Sequence, residues 1–264
     1  MVKIFAITNQ KGGVGKTTTT VNLAASLAAT KRKILLIDLD PQGNATMGSG
    51  INKSEVEFTA YELLTKKAQF QEVVTRSTAG RYDVIPANSD LTAAEVELLN
   101  EIGREHRLKS TLAKVKNQYD FILIDCPPSL NMLTVNALSA ADGVIIPMQC
   151  EYYALEGLAA LMNTVEQIKE TINPRIRISG ILRTMYDPRN SLTKDVSEEL
   201  DEYFGDQVYK VAIPRNVRLA EAPSHGLSVL HYDKSSKGAI AYLALAGEIV
   251  RKNKIEQKAE LAAV

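Results

Sequence analysis

An α/β fold of one domain, its mainly parallel twisted sheet flanked by helices, is what this sequence predicts, on three observations. Short apolar runs recur along most of the 264 residues with helical stretches between them, the alternation that parallel strands joined by crossover helices produce. A glycine-rich turn separates the first such run from the first helical stretch. No proline-, serine- or glycine-rich linker, repeat or low-complexity run divides the chain, which is long enough to bury a sizeable core in one piece.

Taken in order, Ile4-Phe5-Ala6-Ile7 is continuously apolar, as suits a strand covered on both faces. It centres the first expected strand, Lys3 to Thr8. From Thr17 to Ala29, Val21, Leu23, Ala24, Leu27 and Ala28 fall at helical spacing. Further strands are expected at Lys33 to Asp38, Asp83 to Pro86, Phe121 to Asp125, Val144 to Pro147, Ile178 to Leu182 and Val208 to Ile213. Between them, a helix from Thr92 to Asn100 opens on a Thr92-Ala-Ala-Glu95 capping box, and a long apolar stripe marks a helix from Leu155 to Ile172. Residues 250 to 264 place mainly Ile255 and Leu261 among charges and alanines, and are expected to be a frayed helical tail of the same domain.

The turn between the first strand and helix carries chemistry. Residues 9 to 18 read Asn-Gln-Lys-Gly-Gly-Val-Gly-Lys-Thr-Thr. Gly12, Gly13 and Gly15 let the backbone bend tightly and aim its N–H groups inward, and the helix that follows adds partial positive charge, so the loop is an anion cradle. Lys16 is placed to reach the β and γ phosphates, and the Thr17 hydroxyl to hold Mg²⁺ between them. The loop therefore reads as a phosphate-binding loop, with nucleotide β and γ phosphates and Mg²⁺ as the expected occupants. The generic pattern asks for glycine at position 10, where Gln10 stands, but the variant Lys-Gly-Gly-Val-Gly-Lys-Thr fits throughout. Its additional cation, Lys11, suggests a switch made from two subunits.

Two strand ends supply acids. Phe121-Ile122-Leu123-Ile124-Asp125 is an apolar strand closing on a carboxylate, the arrangement that sets an acid beside the loop's magnesium. A helix cap or an ion-pair partner would read similarly, but Pro127-Pro128 fixes an extended exit. At the other strand end, Asp38 and Asp40 lie two apart and face one way if the strand persists. A carboxylate on the loop beyond that strand can orient the attacking water, for which Asp40 is the candidate. Asp-Pro-Gln-Gly is equally an ordinary turn sequence.

Other classes are disfavoured. The formal charge sums to zero, so binding to nucleic acid or an acidic membrane needs a local patch. Cys126 and Cys150 are the only cysteines, too few and wrongly spaced for a zinc site, and read as small buried hydrophobes. Without a leader or an apolar run near the ~20 residues of a membrane span, a cytoplasmic protein is expected.

Five segments together resemble the ParA family of DNA-partitioning ATPases, in its short chromosomal type also called Soj. They are Thr8 to Thr18, Asp38-Leu-Asp-Pro-Gln-Gly-Asn44, Ile124-Asp-Cys-Pro-Pro-Ser129, Gln149-Cys-Glu-Tyr-Tyr-Ala-Leu-Glu-Gly157 and Ile213-Pro-Arg-Asn-Val-Arg-Leu-Ala-Glu-Ala-Pro-Ser224. The similarity runs from Lys3 to about Val250.

The resemblance implies a homodimer in which two ATP-bound subunits face each other and Lys11 reaches the partner's phosphates. A cation supplied in trans neutralises charge on the transferred phosphoryl group, so assembly and catalysis become one switch. Lys11, Lys16 and Asp40 are then the catalytic set, and Thr17 and Asp125 the metal side. Lys11, Gly12, Gly13, Val14, Gly15, Lys16, Thr17 and Thr18 would surround the nucleotide, with Met185 and Pro214 at the adenine. Gly12 would lie where the two loops approach. Arg189 and Arg218 match positions that bind double-stranded DNA without regard to sequence, although the basic residues from Arg175 to Arg218 are nearly balanced by acids in Asp195 to Asp206. A ParB-type centromere-binding protein is the implied trigger of hydrolysis, and the nucleoid the implied location. The first strand begins at about Lys3, so the operator-reading region of longer plasmid-type relatives is not expected. A MinD-like membrane-surface ATPase would share the loop and acids, but the carboxyl tail offers little apolar face, and no stable membrane association is expected. An iron–sulfur carrier would need paired thiols, and Cys150 lies in no such motif.

Overall fold

The computed structural model describes residues 2–262. In chain order, its first half comprises β1 (Lys3–Ile7), α1 (Lys16–Ala29), β2 (Ile34–Asp38), α2 (Asn44–Gly48), α3 (Ala60–Leu64), α4 (Phe70–Val73), β3 (Thr75–Ser77), β4 (Tyr82–Ile85), α5 (Leu91–Leu98), α6 (Arg107–Val115) and β5 (Phe121–Asp125). Then follow α7 (Met132–Ala140), β6 (Gly143–Gln149), α8 (Ala154–Thr171), β7 (Arg177–Thr184), α9 (Ser191–Phe204), α10 (Val217–Glu221), α11 (Val229–Tyr232) and α12 (Lys237–Ala262).

The strands form one sheet in the order β3-β4-β2-β5-β1-β6-β7. Every pairing is parallel except β3 with β4. Because β1, β2 and β5 are flanked on both sides, all their residues are buried, which is why their sequences are apolar without alternation. Successive side chains still go to opposite faces. Ile4, Ala6, Leu35 and Ile37 join a core with the helices from α3 to α9, and Phe5, Ile7, Ile34 and Leu36 join another with α1, α2 and α10 to α12.

The expected strands at Phe121 to Asp125, Lys33 to Asp38 and Asp83 to Pro86 are observed at or within a residue of those bounds, and α8 lies one residue from its expected limits. Three expectations change. Val208 to Ile213 is no strand: it touches the sheet at one isolated bridge, Ile181 with Val208, and a second bridge, Tyr186 with Pro214, lies just beyond both the segment and β7. The buried carboxylate of Glu248, on α12, takes the N–H groups of Lys210 and Val211 at 2.9 and 3.1 Å, so those donors are satisfied from a helix and need no ladder. Thr92 opens no capping box, because α5 begins at Leu91 and Glu95 instead accepts from Asn131 Nδ2 at 2.7 Å. That device stands at Thr59, whose N–H donates to Glu62 while its hydroxyl accepts from Tyr61. A short antiparallel edge, β3, goes unforeseen. The expected tail is the end of α12, with Ala263 and Val264 outside the described residues.

Candidate nucleotide site

Sheet order assembles the site. The phosphate loop leaves the carboxyl end of the central strand β1, where ligands of parallel sheets bind. On one side lies β5, ending in Asp125, then β2, leading to Asp40; on the other lie β6, leading to Glu151, and β7, leading to Met185.

Within the loop, Gly13 and Gly15 adopt φ of +73° and +87°, which an L side chain would strain. The loop is tied down from both sides. Asn9 donates to Pro147 O at 2.8 Å and accepts from the Lys11 N–H at 3.0 Å, and Thr184 Oγ1 donates to Val14 O at 2.8 Å. The two lysines diverge. Lys16 is buried, with Nζ donating to Lys11 O at 3.1 Å, and burial lowers its ammonium pKa against the pull of Asp125 and Asp40. Lys11 is half exposed and pairs with Glu151 Oε2 at 2.6 Å. An added Cβ at Gly12 would meet nothing within 4 Å.

Asp38 and Asp125 are register partners on β2 and β5, both fully buried. They do different things. Asp38 accepts from the Thr46 N–H and hydroxyl and from the Asp40 N–H, so it organises the turn and is closed to ligand. Asp125 accepts from Thr17 Oγ1 and Thr20 Oγ1, each at 2.8 Å. Asp40 is partly exposed beyond the strand end; its Oδ1 accepts from the Gln42 N–H at 3.0 Å. The turn role of that residue is thus observed, and its partial exposure leaves the carboxylate accessible.

Burial, then the Asp38 charge, pushes the Asp125 carboxyl up to about 8. Such a site suits a hard divalent cation: Thr17 and Asp125 present oxygens, and Mg²⁺ keeps water and phosphate as most of its ligands. Among the described residues no cluster of three or more His, Cys, Asp or Glu could hold a metal alone. The folded chain binds the Asp125 proton more tightly than the unfolded chain, so its contribution to stability is present at low pH and lost as pH rises through the folded value. The metal-free protein should therefore lose stability between roughly pH 4 and 8 and Asp125→Asn should lose less, the variant being firmer by at least about 1 kcal/mol at the upper end. Urea unfolding at both pH values checks this; parallel curves would refute it.

Beside Gly15 and Thr18 a cavity of about 360 Å³ is walled by Thr184, Met185, Ile213, Pro214, Asn216 and Tyr242, among others. Met185 and Pro214, which the resemblance implies at the adenine, both line this cavity. Met185 holds φ +48°, costly for a long side chain, and its sulfur accepts from Gln149 Nε2 at 2.7 Å. Asn216 Oδ1 is buried without a hydrogen-bond partner. Thr184, Asn216 and Tyr242 were not anticipated as wall residues; the adjacency of Asn216 to Pro214 in sequence was a usable signal, whereas Tyr242 comes from α12.

Arg189 and Arg218 lie at the surface as ion pairs. Arg189 is 88% exposed and meets Asp187 through two nitrogens at 2.9 and 2.8 Å. Arg218 meets Glu221 at 2.7 Å and Asp233 at 3.4 Å. Arg183 is spent on Ser197 and Asp201 of acidic α9. Cys126 and Cys150 are buried free thiols, and burial raises both pKa values.

A glycine loop on the central strand, a buried lysine and a Thr–Asp pair beneath it, and a base-sized cavity alongside define a P-loop nucleotide hydrolase. A sequence profile described as an AAA domain matches residues 2–178. The sporulation initiation inhibitor Soj of Bacillus subtilis is 55% identical over 94% of this chain and 98% of its own, and the chromosome partitioning protein ParA of Myxococcus xanthus 51% identical over 95% and 89%. Among solved structures, the cobyrinic acid a,c-diamide synthase of Mycobacterium smegmatis, crystallised with an ATP analogue and magnesium, superposes with a TM-score of 0.85 at 36% identity, covering 96% of each chain. The chain belongs to the AAA-domain family and, within it, to the ParA/Soj chromosome-partitioning ATPases.

Proposed function

We propose that this protein is an ATP-gated DNA-binding switch for chromosome partitioning. ATP closes two subunits face to face on DNA, and hydrolysis, stimulated by a ParB-type centromere-binding protein, separates them. The observation that carries this reading is the divergence of the loop lysines: Lys16 turns inward and is buried, while Lys11 turns outward to Glu151. An outward cation is better placed to serve another subunit's phosphates than its own. Exposed Tyr152 and Tyr153 adjoin Glu151, and open space at Gly12 lets a second loop approach.

In this reading Lys16 and the loop N–H groups bind the phosphates, Thr17 and Asp125 hold Mg²⁺, and Asp40 orients the attacking water. Bound Mg²⁺ would neutralise charge on the phosphate oxygens. Asn216 Oδ1 supplies an acceptor for the adenine amine, which guanine lacks at that position.

Arg189 and Arg218 would bind DNA phosphates. Exposed ion pairs of this kind are solvated and screened and contribute little, so phosphate can replace the carboxylates. The deciding experiment is retention of duplex DNA with ATP, ADP, GTP or no nucleotide, with sizing of the same samples. Dimers and retention should appear with ATP alone; retention by the nucleotide-free monomer at equal strength would end the proposal. Arg189→Ala with Arg218→Ala should weaken binding to unrelated duplexes alike and, with four cations lost per dimer, flatten the log–log salt slope by about 0.9 per phosphate contact. An unaltered slope would place the DNA surface elsewhere.

A further inference from the structure

The sheet has a second chemically marked end. Opposite the phosphate loop, where β2, β4 and β5 begin, Arg32, Lys33, Arg76, Arg81, Gln118 and Tyr119 line a cavity of about 530 Å³, a volume suited to a small ligand. Asp83 is its one acid, and it is already engaged by Arg76 at 2.6 Å and by the Tyr119 hydroxyl at 2.9 Å. Four cations against one carboxylate leave three positive charges. Arg32, Lys33 and Arg81 form no ion pair among the described residues, and Arg32 Nε is buried with no hydrogen-bond partner. A guanidinium nitrogen withdrawn from water without an acceptor is costly unless a ligand supplies one.

The backbone adds an independent sign. The turns that deliver these cations, from α1 into β2 and from β3 into β4, each pass through a non-glycine residue in the left-handed region, Lys31 at φ +64° and Arg81 at φ +58°. Glycine would be easier at both. At Arg81 the side chain that replaces it carries one of the unpaired charges. Repulsion, strain and an orphaned donor thus coincide at one recess, a combination natural sequences keep where binding offsets the cost.

We propose that this recess is a second anion site, remote from ATP, which takes a small molecule bearing a pyrophosphate group. Two adjacent phosphates match three converging cations better than a single carboxylate does, and the Tyr119 ring offers a wall for an attached organic part. A recess with a buried guanidinium nitrogen fits a small ligand better than the convex backbone of a duplex.

The test is calorimetric titration of inorganic pyrophosphate into the full chain carrying Lys16→Ala, which disables the phosphate loop. One equivalent should bind, and adding Arg81→Gly should weaken binding at least tenfold. That substitution suits the local φ and keeps the Arg81 carbonyl that accepts from Arg76, so the fold is retained, as circular dichroism would verify. Lys31→Gly relieves the same kind of strain outside the recess and should leave the affinity unchanged. Inorganic phosphate should bind more weakly than pyrophosphate. Absence of binding in the Lys16→Ala chain, or equal affinity with Arg81→Gly, overturns the assignment; so does a duplex whose binding needs Arg81 when pyrophosphate does not bind.

Discussion

Lys11→Ala is expected to yield a protein that still binds ATP as a monomer but neither dimerises nor hydrolyses it, with turnover down by roughly 10³-fold or more, the scale of a charge supplied in trans. Lys16→Ala should instead lose nucleotide altogether. The contrast rests on geometry. Lys16 is buried beneath the loop and bonded to its backbone, so its removal empties the cradle of its principal cation. Lys11 points away, and its half-exposed pair with Glu151 is worth no more than about 1 kcal/mol, a small barrier to release toward a second subunit. Nucleotide titration, sizing with a non-hydrolysable analogue and phosphate release separate the two variants. A Lys11→Ala protein that dimerises tightly would refute the cross-subunit role. Gly12→Ala is the matching control: its added Cβ meets nothing within 4 Å beyond its sequence neighbours, so a loss of assembly points to the facing loop.

Much of this was legible in the sequence because it is local or periodic. β5 has the bounds its apolar run gives, and the glycines requiring positive φ sit inside a contiguous motif. What stayed hidden depends on distant partners. Nothing near Lys210 announces that Glu248 will occupy its N–H and prevent a strand. Lys11 and Glu151 are 140 residues apart, so the resting position of the additional lysine is a product of the β1–β6 pairing. The edge strand β3 is only three residues long, too short for alternation to register. Tyr242 reaches the cavity beside Gly15 because α12 packs on α1, where its hydroxyl lies 3.1 Å from Thr19 Oγ1.

Asp40 offers the sharpest separation of turn from chemistry. Asp40→Ala is expected to leave ATP and DNA binding intact and slow hydrolysis by about 10²–10⁴-fold, the range for loss of a positioned general base. The dimer should then persist on DNA, visible as slow dissociation after a chase with unlabelled duplex. Loss of the turn bond from Gln42 N–H to Asp40 Oδ1 could also disturb the loop, and alanine alone does not distinguish the causes. Asn does: its side-chain oxygen can accept the same N–H, but a neutral amide is a poor acceptor for a proton from water. If the carboxylate acts on water, Asp40→Asn should match the wild type in thermal stability and match alanine in turnover. If Asp40 serves only the turn, Asn should restore hydrolysis, and the water-positioning role would pass to another group.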